Sequence, residues 1–224
     1  MDQTVEKKDS REILEERASQ IEKTEKAKAG SMQIRFIAVT GILAAVSVVL
    51  QSFLAFPIPI MPSFIEFDLS DLPALIGSFA MGPVCGVLIE LIKNLFHSIV
   101  TRSFGVGEIS NFILGAIFVG VAGLIYKYKK SKKGAILGAV TGAVAMAVLS
   151  FPTNLFVVYP SYYNFFPKEA VLAMYQAIRP STQSIPEALL VFNAPFTLVK
   201  GLLNVGITML IYKPLSPILH GRHN

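Results

Sequence analysis

Six apolar runs, at 34–54, 71–82, 84–100, 108–126, 134–158 and 188–212, set the pattern of the chain. A helix rises 1.5 Å per residue, so about 20 mostly apolar residues cross a bilayer. The second run is too short to cross alone. It is expected to do so only with "FPIPIMPSFIEFDLSD" (56–71) dipping into the membrane against protein, because lipid cannot satisfy irregular backbone. Asp68, Ser70 or Asp71 can cap that helix, with Pro73 in its first turn where a missing N–H costs little. Gly82-Pro83 then makes a tight turn into the third run. The pattern predicts an all-α integral membrane protein with six transmembrane helices and a partly re-entrant outer loop before the second.

Polar residues inside these runs are the next signal. Glu90, Lys93, Asn94 and His97 are spaced i, i+3, i+4 and i+7, so they share one helical stripe. Each ionisable group at mid-membrane costs on the order of 2.5–3.5 kcal/mol, so such a stripe faces protein or a wet cavity. Glu90 and Lys93 can offset one another as an ion pair that holds helix geometry. Asn193, Thr197, Lys200 and Asn204 form a second stripe in the last run. Lys200 has no acidic neighbour on its own helix, so its partner comes from elsewhere or from a ligand. Asn154 follows a kink expected at Pro152. Phe64 and Phe67 on one side, and Tyr159, Tyr162, Tyr163 and Phe165 on the other, place aromatics at the mouth. An apolar slot with convergent polar groups suits a flat, hydroxyl-bearing molecule. The competing readings are a satisfied interior histidine for His97 and interfacial anchors for the tyrosines. Asn154 and Lys200, each isolated in an apolar run, are the strongest ligand candidates.

Charge fixes the expected orientation. Hydrophobic residues make up 53% of the chain against 16% charged ones, and eight of the 15 acidic residues precede position 30. The net charge of +5 is therefore no nucleic-acid footprint, and no nucleic-acid partner is expected. "YKYKKSKKG" (126–134) holds five lysines in one loop, and such loops stay cytoplasmic. With six crossings both termini are then cytoplasmic, in agreement with Lys213, Arg222 and the charged N-terminal tail. Three outer loops follow, 55–70, 101–107 and 159–187, of which the last is long enough to have a task. The domains expected are a charged tail (1–33), a six-helix binding domain (34–213) and a short tail (214–224). In the first tail Ile13, Leu14, Ala18 and Ile21 recur at helical spacing, and no secretory signal is present. In the first run Gly41 and Ala45, beside Ala38, Ala44 and Ser47, make a small-residue face for a neighbouring helix or a partner subunit.

Missing chemistry narrows the function. No G-x-x-x-x-G-K-[ST] is present for ATP hydrolysis, and "GVGE" (105–108) opens no dinucleotide-binding unit. There is no H-E-x-x-H for a metalloprotease and no G-x-S-x-G. The lone Cys85 excludes an internal disulfide and a cysteine zinc site. An intramembrane enzyme using Glu90, Lys93 or His97 stays open as an alternative to a binding subunit.

The stretch "FPIPIMPSFIEFDLSDLPALIGSFAMGPVCGVLIELIKNLFHSIV" closely resembles the substrate-binding S components of energy-coupling factor (ECF) vitamin transporters, and within them the riboflavin branch. "GVGEISNFILG", "NLFVVYPSYYNFF" and "PFTLVKG" resemble later elements of that branch, so the likeness runs from about 35 to 212. It implies a non-catalytic subunit of the cell membrane that captures riboflavin, its phosphate FMN or a related flavin from outside, with no cofactor of its own and no metal. It further implies docking, through the Gly41–Ala45 face, on a membrane coupling subunit that carries two cytoplasmic ATPases. Carried over residue by residue, the ribityl-binding positions fall on Asn154, Thr197 and Lys200, with Asn94 nearby and the 62–67 and 159–165 segments flanking the ring. Thr197 stands where the family has asparagine; it keeps a hydroxyl but loses reach and an amide donor. An S component for a different vitamin is the nearest alternative.

Overall fold

The structure, a computed structural model, describes residues 3–99 and 105–220, with side chains described for 17, 19–99 and 105–211. Residues 101–104 of the predicted second outer loop, residues 221–224 with Arg222, and the side chains of Ile13, Leu14, Ala18 and Lys213 lie outside the described residues. The chain forms two compact units, Met1–Ala38 and Val39–Asn224. Helix α1 covers Gln3–Leu54. In the first unit the described side chains of 17 and 19–29 are exposed, Ile21 among them, as is Met32.

Among its described residues the second unit is built of helices and one two-stranded ribbon, joined by turns and loops. After α1 the chain pairs β1 (Phe56–Pro57) with β2 (Glu66–Phe67), Phe56 opposite Phe67 and Pro57 opposite Glu66. This ribbon closes the proline-rich segment for which the pattern predicted only irregular backbone. Then come α2 (Asp71–Met81), α3 (Pro83–His97) and α4 (Val106–Tyr128). Gly82, at φ +99°, supplies the left-handed turn between α2 and α3. Helix α5 (Lys132–Thr153) starts on Ser131, whose hydroxyl accepts from the Gly134 N–H at 3.0 Å. It continues through a π turn (Asn154–Val158) into α6 (Tyr159–Tyr162). Pro152 lacks the N–H that an α-helix needs, and the wider π turn follows directly. Helix α7 (Lys168–Gln176) lies within the predicted outer loop, and α8 (Ile185–Ala188) leads through a second π turn (Leu189–Asn193) into α9 (Ala194–His220). The 159–187 segment is thus largely helical, folded over a buried cluster of Val158, Tyr159, Tyr162, Val171, Tyr175 and Ile185.

Small residues let these helices approach. A Cβ on Gly138 would come within 2.6 Å of the Ala122 carbonyl oxygen, and one on Gly142 would strike the Phe118 carbonyl, so α5 lies against the backbone of α4. A Cβ on Gly201 would meet Ala143, which brings α9 equally close to α5. Among the described residues four helical stretches are long and apolar enough to cross a membrane: Ser19–Leu54, Val106–Tyr128, Lys132–Tyr162 and Ile185–Ile211. Helices α2 and α3 are shorter.

Candidate ligand-binding site

A cavity of about 930 Å³ opens within the second unit. Its wall takes Gln51 from α1, Phe64 from the ribbon segment, Asn154 and Tyr159 from the α5 π turn and α6, and Thr197 and Lys200 from α9. Five predicted ligand residues therefore share one wall: Phe64, Asn154, Tyr159, Thr197 and Lys200. Three others stand off it. Asn94 donates to the Glu90 carbonyl at 2.8 Å and accepts from Gln51 Nε2 at 3.4 Å. Phe67 packs on Phe56 and Phe196, and Tyr163 is half-buried against the Tyr159 cluster.

The expected partner of Lys200 is Asp68. Its ammonium donates to Asp68 Oδ2 at 2.9 Å and lies 3.7 Å from Asp71 Oδ2. The sequence offers Asp68, Ser70 or Asp71 as a cap for α2; Ser70 stands at the N-cap with no side-chain capping bond, and Asp68 Oδ1 instead accepts from the Ser70 N–H at 2.8 Å and the Ser70 hydroxyl at 2.5 Å, a turn ahead of the helix. Behind the Lys200–Asp68 pair Lys93 is fully buried. It donates to Asp71 Oδ1 at 2.5 Å and to the Ser70 hydroxyl at 2.8 Å, and lies 2.8 Å from Glu90 Oε2. The Glu90–Lys93 pair thus closes, within a larger cluster that includes the start of α2. Gly115 makes room for it, since a Cβ there would strike the Glu90 carboxylate. Glu90 sits behind the cavity wall with its Oε1 lacking a hydrogen-bond partner, a poor position for acid–base chemistry on a substrate.

Elsewhere on the cavity wall His97 Nδ1 pairs with Glu108 Oε1 at 2.8 Å. Glu108 is the acid of the "GVGE" stretch, a residue that pattern reading passed over. Asn154 turns its amide nitrogen to the Ser150 carbonyl at 2.8 Å, and its Oδ1 accepts from Ser110 at 3.4 Å. Gln51 was also missed, although it is a lone amide in an apolar run. It is buried, it lines the cavity and its Oε1 has no partner. At the cavity wall Tyr159 and Asn193 close a buried triad with Tyr175. The two tyrosine hydroxyls hydrogen-bond each other, Tyr175 donates to Asn193 Oδ1 at 2.7 Å, and the Asn193 amide donates to Tyr159 at 3.3 Å. Burial pushes the Tyr175 phenol well above its ordinary pKa. Phe64 meets Tyr162 and Tyr175 ring to ring at 5.5 and 6.3 Å, tying the ribbon segment to α6 and α7. Tyr159 is therefore an interior residue and not an interfacial anchor.

On α1 the small-residue face divides. Ala44 and Ser47 point inward, and Ser47 donates to the Ser70 carbonyl at 2.5 Å. Gly41 and Ala45 point outward, with nothing within 4 Å of a Cβ built on Gly41.

Comparisons of sequence and overall structure show what the chain is similar to. The family profile described as "ECF transporter, substrate-specific component" matches residues 35–212. Riboflavin transporter RibU of Staphylococcus aureus (strain TCH60) is 30% identical over 192 residues, covering 86% of this chain and 96% of that protein. Riboflavin transporter FmnP of Bacillus subtilis (strain 168) is 29% identical over 189 residues, with 83% and 94% covered. A solved S component of a bacterial ECF transporter superimposes with a TM-score of 0.67 at 30% identity, covering 84% of this chain and 98% of that one.

Proposed function

This chain belongs to the substrate-specific component family of ECF transporters, a multi-pass protein of the cell membrane that binds and does not catalyse, and we propose that its ligand is riboflavin. The observation that carries this reading is the convergence of Asn154, Thr197 and Lys200 on one cavity beneath a Phe64–Tyr162 aromatic contact. Its volume of about 930 Å³ falls within the roughly 300–1,000 Å³ of small-molecule sites. Polar side chains on α5 and α9 suit a ribityl chain, and the aromatics suit a flat ring. Phe67, Tyr163 and Asn94 act one layer out, supporting the wall. The Glu90–Lys93 pair holds helix geometry. The names of the RibU and FmnP relatives support the same ligand.

In this reading all six apolar segments cross, α2 and α3 with the help of the ribbon segment, and both termini are cytoplasmic. The chain carries no nucleotide-binding motif of its own, so transport is driven by a coupling subunit and two ATPases docked on the outward Gly41–Ala45 face. Titration of purified protein into riboflavin, followed by flavin fluorescence, tests the ligand. Saturable quenching at one flavin per chain is expected. Lys200→Ala should weaken it at least tenfold, which is about 1.4 kcal/mol. Unchanged affinity in Lys200→Ala would remove that residue from the site.

A further inference from the structure

We propose that Asp68 sets the charge specificity of the cavity, keeping Lys200 occupied so that the site takes the neutral flavin and rejects its 5′-phosphate. The inference rests on reading the cavity as a flavin site.

Lys200 is the lysine on the cavity wall. An unpaired ammonium there would recruit a phosphate, which carries about −1.5 to −2 charges at neutral pH. Here the charge of the ammonium is already compensated, although not all of its three N–H donors are used: it donates to Asp68 at 2.9 Å, with Asp71 at 3.7 Å. Asp68 is in turn anchored. Its other oxygen takes the Ser70 N–H and hydroxyl at 2.8 and 2.5 Å, and the Ser70 carbonyl takes Ser47 at 2.5 Å. A carboxylate held by so many donors does not swing aside when an anion arrives. Displacing it would break bonds in a buried network and leave an uncompensated buried charge. Asp71 cannot be released either, because Lys93 binds it. Asp68 and Asp71 both line the cavity, so an incoming phosphate meets two fixed carboxylates beside the cation it would seek. A ribityl hydroxyl faces no such conflict, since it can donate to Asp68 while accepting from Lys200.

The test compares riboflavin and FMN on the full-length protein by fluorescence quenching. Wild-type protein is expected to bind FMN at least tenfold more weakly than riboflavin. Asp68→Asn keeps an acceptor for the Ser70 N–H but releases Lys200, and should narrow that ratio at least tenfold. An unchanged ratio in D68N overturns the inference while leaving the flavin reading intact. A wild-type protein that binds neither flavin overturns the flavin reading and the inference with it. Since D68N disturbs a buried network, a measurement on wild-type protein alone supplies a second arm: an uncharged 5′-ester of riboflavin. Binding of the ester within about threefold of riboflavin, with FMN still excluded, supports charge rejection. An ester as weak as FMN means that size does the excluding, and overturns it.

Discussion

Lys93 shows what a single buried cation does for this protein. It binds Asp71 and Ser70 at the start of α2 and Glu90 on its own helix, at a site with no exposure to solvent. Removing one partner of such a cluster leaves charges stranded in low dielectric, at a cost of roughly 3–5 kcal/mol. Lys93→Met is therefore expected to lower the thermal unfolding temperature in detergent sharply, as read by loss of helical circular dichroism. A melting curve superimposable on wild type would mean that the cluster contributes nothing to the fold. The Glu90–Lys93 half of it was legible, because i,i+3 spacing is local. The Lys200 partner was not, because Asp68 lies 132 positions away and no periodicity links a loop to a distant helix. Gln51 carried a readable signal, an amide alone among apolar residues, whereas the weight of Glu108 emerges only once His97 is opposite it.

Among the elements, α7 turns an expected loop into a cover. Its Tyr175 is fully buried and joins Tyr159 on α6 to Asn193 at the end of the second π turn. Tyr175→Phe leaves the Asn193 oxygen buried without its donor, a cost of about 1–3 kcal/mol concentrated in this cover. Amides of 168–176 should then exchange faster with deuterium while those of α4 and α5 keep wild-type protection. Equal exchange in both proteins would show that the triad does not hold the cover. Apolar periodicity located α4, α5 and α9 well because each is one long run. It could not deliver the π turns, beyond the disturbance expected at Pro152, since a shift in hydrogen-bond register leaves no mark in hydropathy. The β1–β2 ribbon is two residues per strand, below the length at which alternation can be seen.

For the whole molecule, the outward Gly41 and Ala45 carry the argument for a partner. Four residues apart on α1 and exposed, they offer a flat strip on which another helix can pack closely. Gly41→Phe would put a large ring on that strip. It is expected to abolish co-purification with the coupling subunit and its ATPases; full recovery of the complex would place the docking surface elsewhere. Fold class and membrane character followed from composition and run length alone. The count of crossings does not follow from length in the same way, because α2 and α3 depend on neighbours to cover their ends. The ligand is the central claim, and the visible absorbance of the protein purified in mild detergent tests it most directly. The account predicts a flavin spectrum, with one riboflavin released per chain on denaturation. A colourless preparation that also fails to quench added riboflavin would contradict it.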